Sequence, residues 1–165
     1  MVVEEPWVAD ALQQARVARL ATVGVDAAVR LVPICFAIVD GWVASAVDTK
    51  PKRTGQLRRL DDMETAGTAT VLVDHYDDDW SRLWWVRIRG RAVVHREHDD
   101  AAQVVLGALA AKYAQYRESP PAGAVYRIAM DEVRSWRPPD DSRPTTTDGD
   151  VRRSAAHDDA TRAPR

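Results

Sequence analysis

The chain has 165 residues, 45% of them hydrophobic, with a formal net charge of −2, which suits one domain with a real core and leaves little room for two. A nearly neutral chain is not a nucleic-acid-coating surface, and no run of about 18 uncharged apolar residues offers a membrane span. Cys35, the sole cysteine, lies in an apolar run, so an internal disulfide is excluded and a reducing, cytoplasmic setting is expected.

Glu4 and Glu5 stand where a secretory signal would carry basic residues. Together with Pro6 they read as a helix start, and Trp7, Ala11 and Ala15 recur at a spacing of four beside Leu12, predicting a helix to about Arg16. Val17 to Val23 reads as a first strand, with its turn at Gly24-Val25-Asp26. Ala28 to Val39 reads as a longer second strand. Both of its alternating sets are mostly apolar, so a closed barrel or an interface should cover both faces. Asp40-Gly41 is a two-residue hairpin signal leading into a third strand, Trp42 to Val47.

Directly after it comes Asp48-Thr49-Lys50-Pro51-Lys52-Arg53-Thr54. Three cations and two hydroxyls crowd a loop that opens a helical pattern running from Thr54 to about Met63. Thr54 suits a helix N-cap, and the free N–H groups and positive dipole end there favour a phosphate, so the stretch reads as an anion cradle.

A fourth strand follows at Thr68 to Val73, then a polar loop from His75 to Arg82. A fifth strand, Leu83 to His95, sets Trp85, Arg87, Arg89 and Arg91 on one face and Trp84, Val86, Ile88 and Gly90 on the other. Gly90 suggests a bulge or a close backbone approach. Asp100 with Gln103 reads as a capping box, and Ala102, Val105, Leu109, Tyr113 and Tyr116 form one helical face that ends at Ser119-Pro120-Pro121. Ala124 to Arg137 is the sixth strand. Residues 138–165 hold Val151 as their one large aliphatic side chain, too little apolar surface to offset ordering, so a disordered tail follows a domain spanning 1–137.

Six strands in short-turn pairs with few helices predict a mainly β fold with α: a six-stranded antiparallel barrel with flanking helices rather than a doubly wound sheet. No Gly-x-Gly-x-x-Gly, Gly-x-Ser-x-Gly or P-loop lysine motif occurs. His75 among Asp74, Asp77, Asp78 and Asp79 reads as a solvated turn, and His95-x-x-His98 lacks the helical spacing of a zinc pair, so no metal is expected. Cys35 reads as an inert small hydrophobe.

Several stretches, taken in order, resemble one family: Arg19-Leu20-Ala21-Thr22-Val23, Leu31-Val32-Pro33-Ile34-Cys35-Phe36, Lys50-Pro51-Lys52-Arg53-Thr54, Val73-Asp74-His75-Tyr76, Trp80-Ser81-Arg82-Leu83-Trp84-Trp85-Val86-Arg87 and Gly90-Arg91-Ala92. They look like the flavin and deazaflavin oxidoreductases, the FMN-binding split β-barrel group related to pyridoxamine 5′-phosphate oxidase. Asp77-Asp78-Asp79-Trp80-Ser81-Arg82 with Leu83-Trp84-Trp85-Val86 is most similar to a branch of F420-dependent enzymes. The resemblance spans about residues 7–137.

It implies a homodimer with two cofactor sites at the interface, a small-molecule substrate, and neither nucleic acid nor membrane as partner. It assigns Lys50, Lys52, Arg53 and Thr54 to the cofactor phosphate, with Ser45 and Thr49 as hydroxyl donors, and lays the ring against Val32, Pro33, Ile34 and Cys35. Reduced F420 carries its own hydride, so no catalytic side chain is implied. The protein supplies position and shielding. Trp84 or Trp85 would wall a substrate slot or pack in a core, and Arg87, with Arg89 and Arg91, would meet an acidic substrate, the cofactor's polyglutamate tail, or solvent. FMN in the same pocket is the alternative cofactor, and a non-catalytic flavin or haem binder the alternative function.

Overall fold

The structure, a computed structural model, describes residues 5–48, 55–97 and 99–139. The basic loop at 49–54, His98 and the stretch 140–165 lie outside the described residues, and so does most of the expected tail.

Helix α1 (Pro6–Gln14) begins with its proline in the first turn. Val8 and Leu12, four residues apart, are each 1% exposed, and burying each stabilises the fold by about 1.5–3 kcal/mol. The helix stops short of Arg16 because Ala15 turns extended, its N–H still bonded to the Ala11 carbonyl. Strands β1 (Ala18–Val23) and β2 (Val29–Ile34) pair antiparallel, with Ala21 opposite Leu31. Strands β3 (Ala37–Val39) and β4 (Trp42–Ala46) pair across Asp40-Gly41. The φ values there, +49° and +78°, are the left-handed pair that a two-residue hairpin needs.

Helix α2 (Gly55–Ala66) leads to β5 (Thr68–His75). A single 3-10 turn at Trp80–Arg82, capped by Asp79, precedes β6 (Trp84–His95). Helices α3 (Asp100–Lys112) and α4 (Ala114–Glu118) and strands β7 (Val125–Ala129) and β8 (Glu132–Trp136) complete the described chain.

The antiparallel sheet has eight strands in the order β2-β1-β5-β6-β7-β4-β3, with β8 on β6, where six were expected. Two expected strands each change partner midway. Ala28 to Val39 breaks at Cys35-Phe36, since β2 pairs with β1 and β3 with β4. Ala124 to Arg137 breaks at Met130-Asp131, since β7 pairs with β4 and the end of β6, whereas β8 pairs with the start of β6. Strand β6 is therefore common to both halves of the split barrel. At its crossing point a Cβ on Gly90 would stand 1.8 Å from the Ala129 carbonyl oxygen, so only glycine fits.

The long helix expected after Asp100 also divides, because Tyr113 turns extended between α3 and α4. Its N-cap is Asp99, which accepts from the Ala102 N–H at 2.8 Å, one residue before the expected cap. The main core packs α1, Leu60 and Met63 of α2, Leu20, Val71, Ile88 and Tyr126 together. A smaller cluster seats Ala102, Val105 and Leu109 of α3 on Ala37, Ala44 and Val125.

One face of the β1–β2 pair stays uncovered in the single chain. Val23, Val29 and Leu31 are 50%, 67% and 65% exposed.

Candidate functional site

Where β2 ends and the chain crosses to β3, two cavities open side by side. The smaller, about 180 Å³, is lined by Pro33, Ile34 and Cys35 from β2 and the break, Ser45 from β4, Arg59 from α2, and Val17, Ala46, Asp48 and Tyr116. The larger, about 330 Å³, is lined by Cys35, Asp48, Tyr113 and Tyr116 with Gln115, Ser119 and Pro121. Cys35, Asp48 and Tyr116 border both. The Tyr116 hydroxyl donates to Asp48 Oδ1 at 2.7 Å, and burial, then this bond, pushes its pKa well up. Tyr116 therefore keeps its proton and its bond to Asp48 across the physiological range.

The wall between β2 and β3 is fixed by Tyr113. Its hydroxyl accepts from the Phe36 N–H at 3.0 Å and lies 2.9 Å from the carbonyl oxygens of both Phe36 and Arg16. Burial raises its pKa. Next to it, Lys112 Nζ sits 4.0 Å from the centre of the Phe36 ring and donates to the Leu12 carbonyl at 3.2 Å. Burial, helped by the nearby Arg16 charge, pulls Lys112 down to about 8.

At the smaller cavity, Arg59 is 7% exposed and its Nε has no group in hydrogen-bonding geometry. Its Cζ lies 5.8 Å from the centre of the Tyr126 ring. The Tyr126 hydroxyl is fully buried close to Ser45 and Arg59, and burial raises its pKa. Asp62, on the same inward face of α2, is by contrast satisfied: it accepts from Thr22 Oγ1 at 2.9 Å and pairs with Arg30 at 3.1 Å.

Of the residues assigned to a cofactor from sequence, Pro33, Ile34, Cys35 and Ser45 meet at the smaller cavity. Val32 instead packs against the core. Thr49, Lys50, Lys52, Arg53 and Thr54 lie outside the described residues. Trp84, Trp85 and Arg87 line neither cavity. Trp84 packs edge-on against Trp7 at 6.4 Å and stacks with His75 at 6.1 Å, Trp85 faces Trp136 across β8, and Arg87 lies 3.9 Å from Glu132.

Arg59, Asp48, Tyr113 and Tyr116 were not singled out as site residues. A signal for Arg59 was present, since it shares a helical face with Met63 four residues on. Among the described residues no group of three or more potential metal-ligating side chains is placed to hold an ion, and no described helix is long and apolar enough to cross a membrane.

The fold recurs in solved structures. A conserved hypothetical protein from Mycobacterium tuberculosis superposes with a TM-score of 0.62 at 20% identity, over 83% of this chain and 86% of that one. A haem storage protein from Vibrio cholerae gives 0.63 at 10% identity, over 83% and 95%. An FAD-binding protein from Mesorhizobium loti gives 0.56 at 18%, over 78% and 89%. No curated protein sequence matches the chain. Residues 5–137 match the family model described as pyridoxamine 5′-phosphate oxidase, and with its split-barrel strand order the chain belongs to that family.

Proposed function

We propose that the protein is an oxidoreductase that binds a flavin-type cofactor in the smaller cavity, with F420 as the cofactor and FMN as the alternative. The observation that carries this reading is the convergence of Pro33, Ile34, Cys35, Ser45 and Arg59 on one cavity. An apolar wall suits a ring, and a buried cation suits a phosphate. When bound, reduced F420 supplies a hydride for an unsaturated or carbonyl-bearing small molecule.

The chain's own part is positional. The β2 edge at Pro33 to Cys35 supports the ring, and Tyr113 holds that edge in place through Phe36. The ends of the basic loop support the same placement, since Asp48 borders the cavity before it and α2 sends Arg59 there after it. Lys50, Lys52, Arg53 and Thr54 remain the loop donors this reading calls for.

A homodimer belongs to the proposal. The uncovered stripe of Val23, Val29 and Leu31 lies on the strands that lead to Val17 and Pro33 at the cavity. A second copy covering it would border the cavity and exclude water from the ring.

Titration of the purified chain with F420 and with FMN tests the reading. F420 binding, followed by acceptor-dependent oxidation of reduced F420, is the expected result. Retention of FMN with no F420 affinity would transfer the function to FMN. Ligand binding without turnover would make the protein a carrier.

A further inference from the structure

We propose that Arg59 is a phosphate-binding residue of the smaller cavity and makes the site select phosphorylated over dephosphorylated ligands. This rests on the flavin-type reading but assigns the charge to a residue one turn inside α2 rather than to the loop before it.

Arg59 is the one buried arginine among the described residues. A guanidinium is always charged, and removing it from water is costly unless an anion and hydrogen bonds answer it. Three other described arginines have such answers, whereas the half-buried Arg127 also has an Nε without a partner. Arg30 meets Asp26 and Asp62, Arg96 meets Asp61 and Glu64, and Arg19 meets Asp74. Arg59 has no carboxylate within ion-pair distance among the described residues, and its Nε is buried without a partner.

The same cavity is lined by the buried Ser45, so a charged fork and a hydroxyl border one space, a donor set for an acceptor with several oxygens. The guanidinium supplies its sign, because a permanent cation on a cavity wall calls for an anion. Asp48 borders the same cavity, and its Oδ1 accepts from Tyr116. A phosphate monoester fits this donor set, because it accepts a forked guanidinium and a hydroxyl at once.

The test compares the full-length wild type with Arg59→Gln and Arg59→Lys in fluorescence titrations. The ligands are FMN against riboflavin, and F420 against its phosphate-free chromophore. Arg59→Gln should weaken the phosphorylated ligand about 10- to 100-fold, the scale of a lost charged hydrogen bond, and leave its phosphate-free counterpart unchanged. Arg59→Lys keeps the charge but loses the fork, so it should fall between them and decides the matter if the glutamine variant does not fold. An equal loss for both members of a pair, or no loss, overturns the proposal. If the wild type binds no flavin or deazaflavin, the functional reading fails on its own, and inorganic phosphate decides about Arg59. A rise in wild-type Tm with phosphate that Arg59→Gln lacks would sustain the assignment; the same response in both, or none in either, would overturn it.

Discussion

The Tyr113 hydroxyl accepts the Phe36 N–H at 3.0 Å, at the residue pair where the chain leaves one half of the barrel for the other. A residue 77 positions away thus satisfies a buried backbone donor that neither strand ladder can reach. Tyr113→Phe leaves that donor unpaired at a cost of about 1–3 kcal/mol. Chemical denaturation should show the loss. Because Phe36 adjoins Cys35 on the cavity wall, ligand affinity should fall with it.

Gly90 gives a contrasting test. In Gly90→Ala the new methyl group meets the Ala129 backbone, which has no rotamer to yield, so the expected loss is about 3 kcal/mol. Gly90 borders neither cavity, so the folded fraction of this variant should bind ligand with wild-type affinity. Denaturation combined with active-site titration separates the two effects.

Lys112 makes a prediction about pH. Its folded value is about 8, whereas an unfolded lysine titrates near 10.4. Below about 8 both states hold the proton and the folded state bears the full burial penalty. Between the two values the unfolded chain binds more protons, so stability contributed by this group rises with pH and levels off above about 10.4. Competitive labelling with an amine reagent should find Lys112 titrating near 8. Lys112→Met should flatten the alkaline limb of the stability profile.

The apolar stripe of β1 and β2 predicts an association. Leu31→Asp places a charge opposite Ala21, in the middle of the surface proposed to meet a second copy. Sedimentation should show dimer for the wild type and monomer for the variant, with unchanged circular dichroism. A wild type that sediments as a monomer at every concentration would remove the dimer from the proposal.

What could be read in advance follows physical range. The Asp40-Gly41 hairpin, the Pro6 helix start and the two faces of β6 rest on neighbouring residues, and their residue types show them. The breaks at Cys35-Phe36 and Met130-Asp131 do not, because each is set by a change of partner strand far away in the chain. Helix α3 ends at Tyr113 for the same reason, since the phenol is claimed by Phe36 and Arg16. Arg59 was hidden by the run Leu57-Arg58-Arg59-Leu60, in which either arginine can face water. Only the docking of Leu60 and Met63 into the core turns Arg59 inward. Trp84, Trp85 and Arg87 line neither cavity, since adjacency along β6 says nothing of its distance from the β2–β3 break.

Strand β6 has a further consequence for how the molecule comes apart. Its 12 residues bond to β5 and β8 at one end and to β7 at the other. Neither half can melt without stripping a ladder from the other, so unfolding should be a single all-or-none event. The amides of β6 should then be the last to exchange with deuterated solvent, at a rate that reports the stability of the whole molecule.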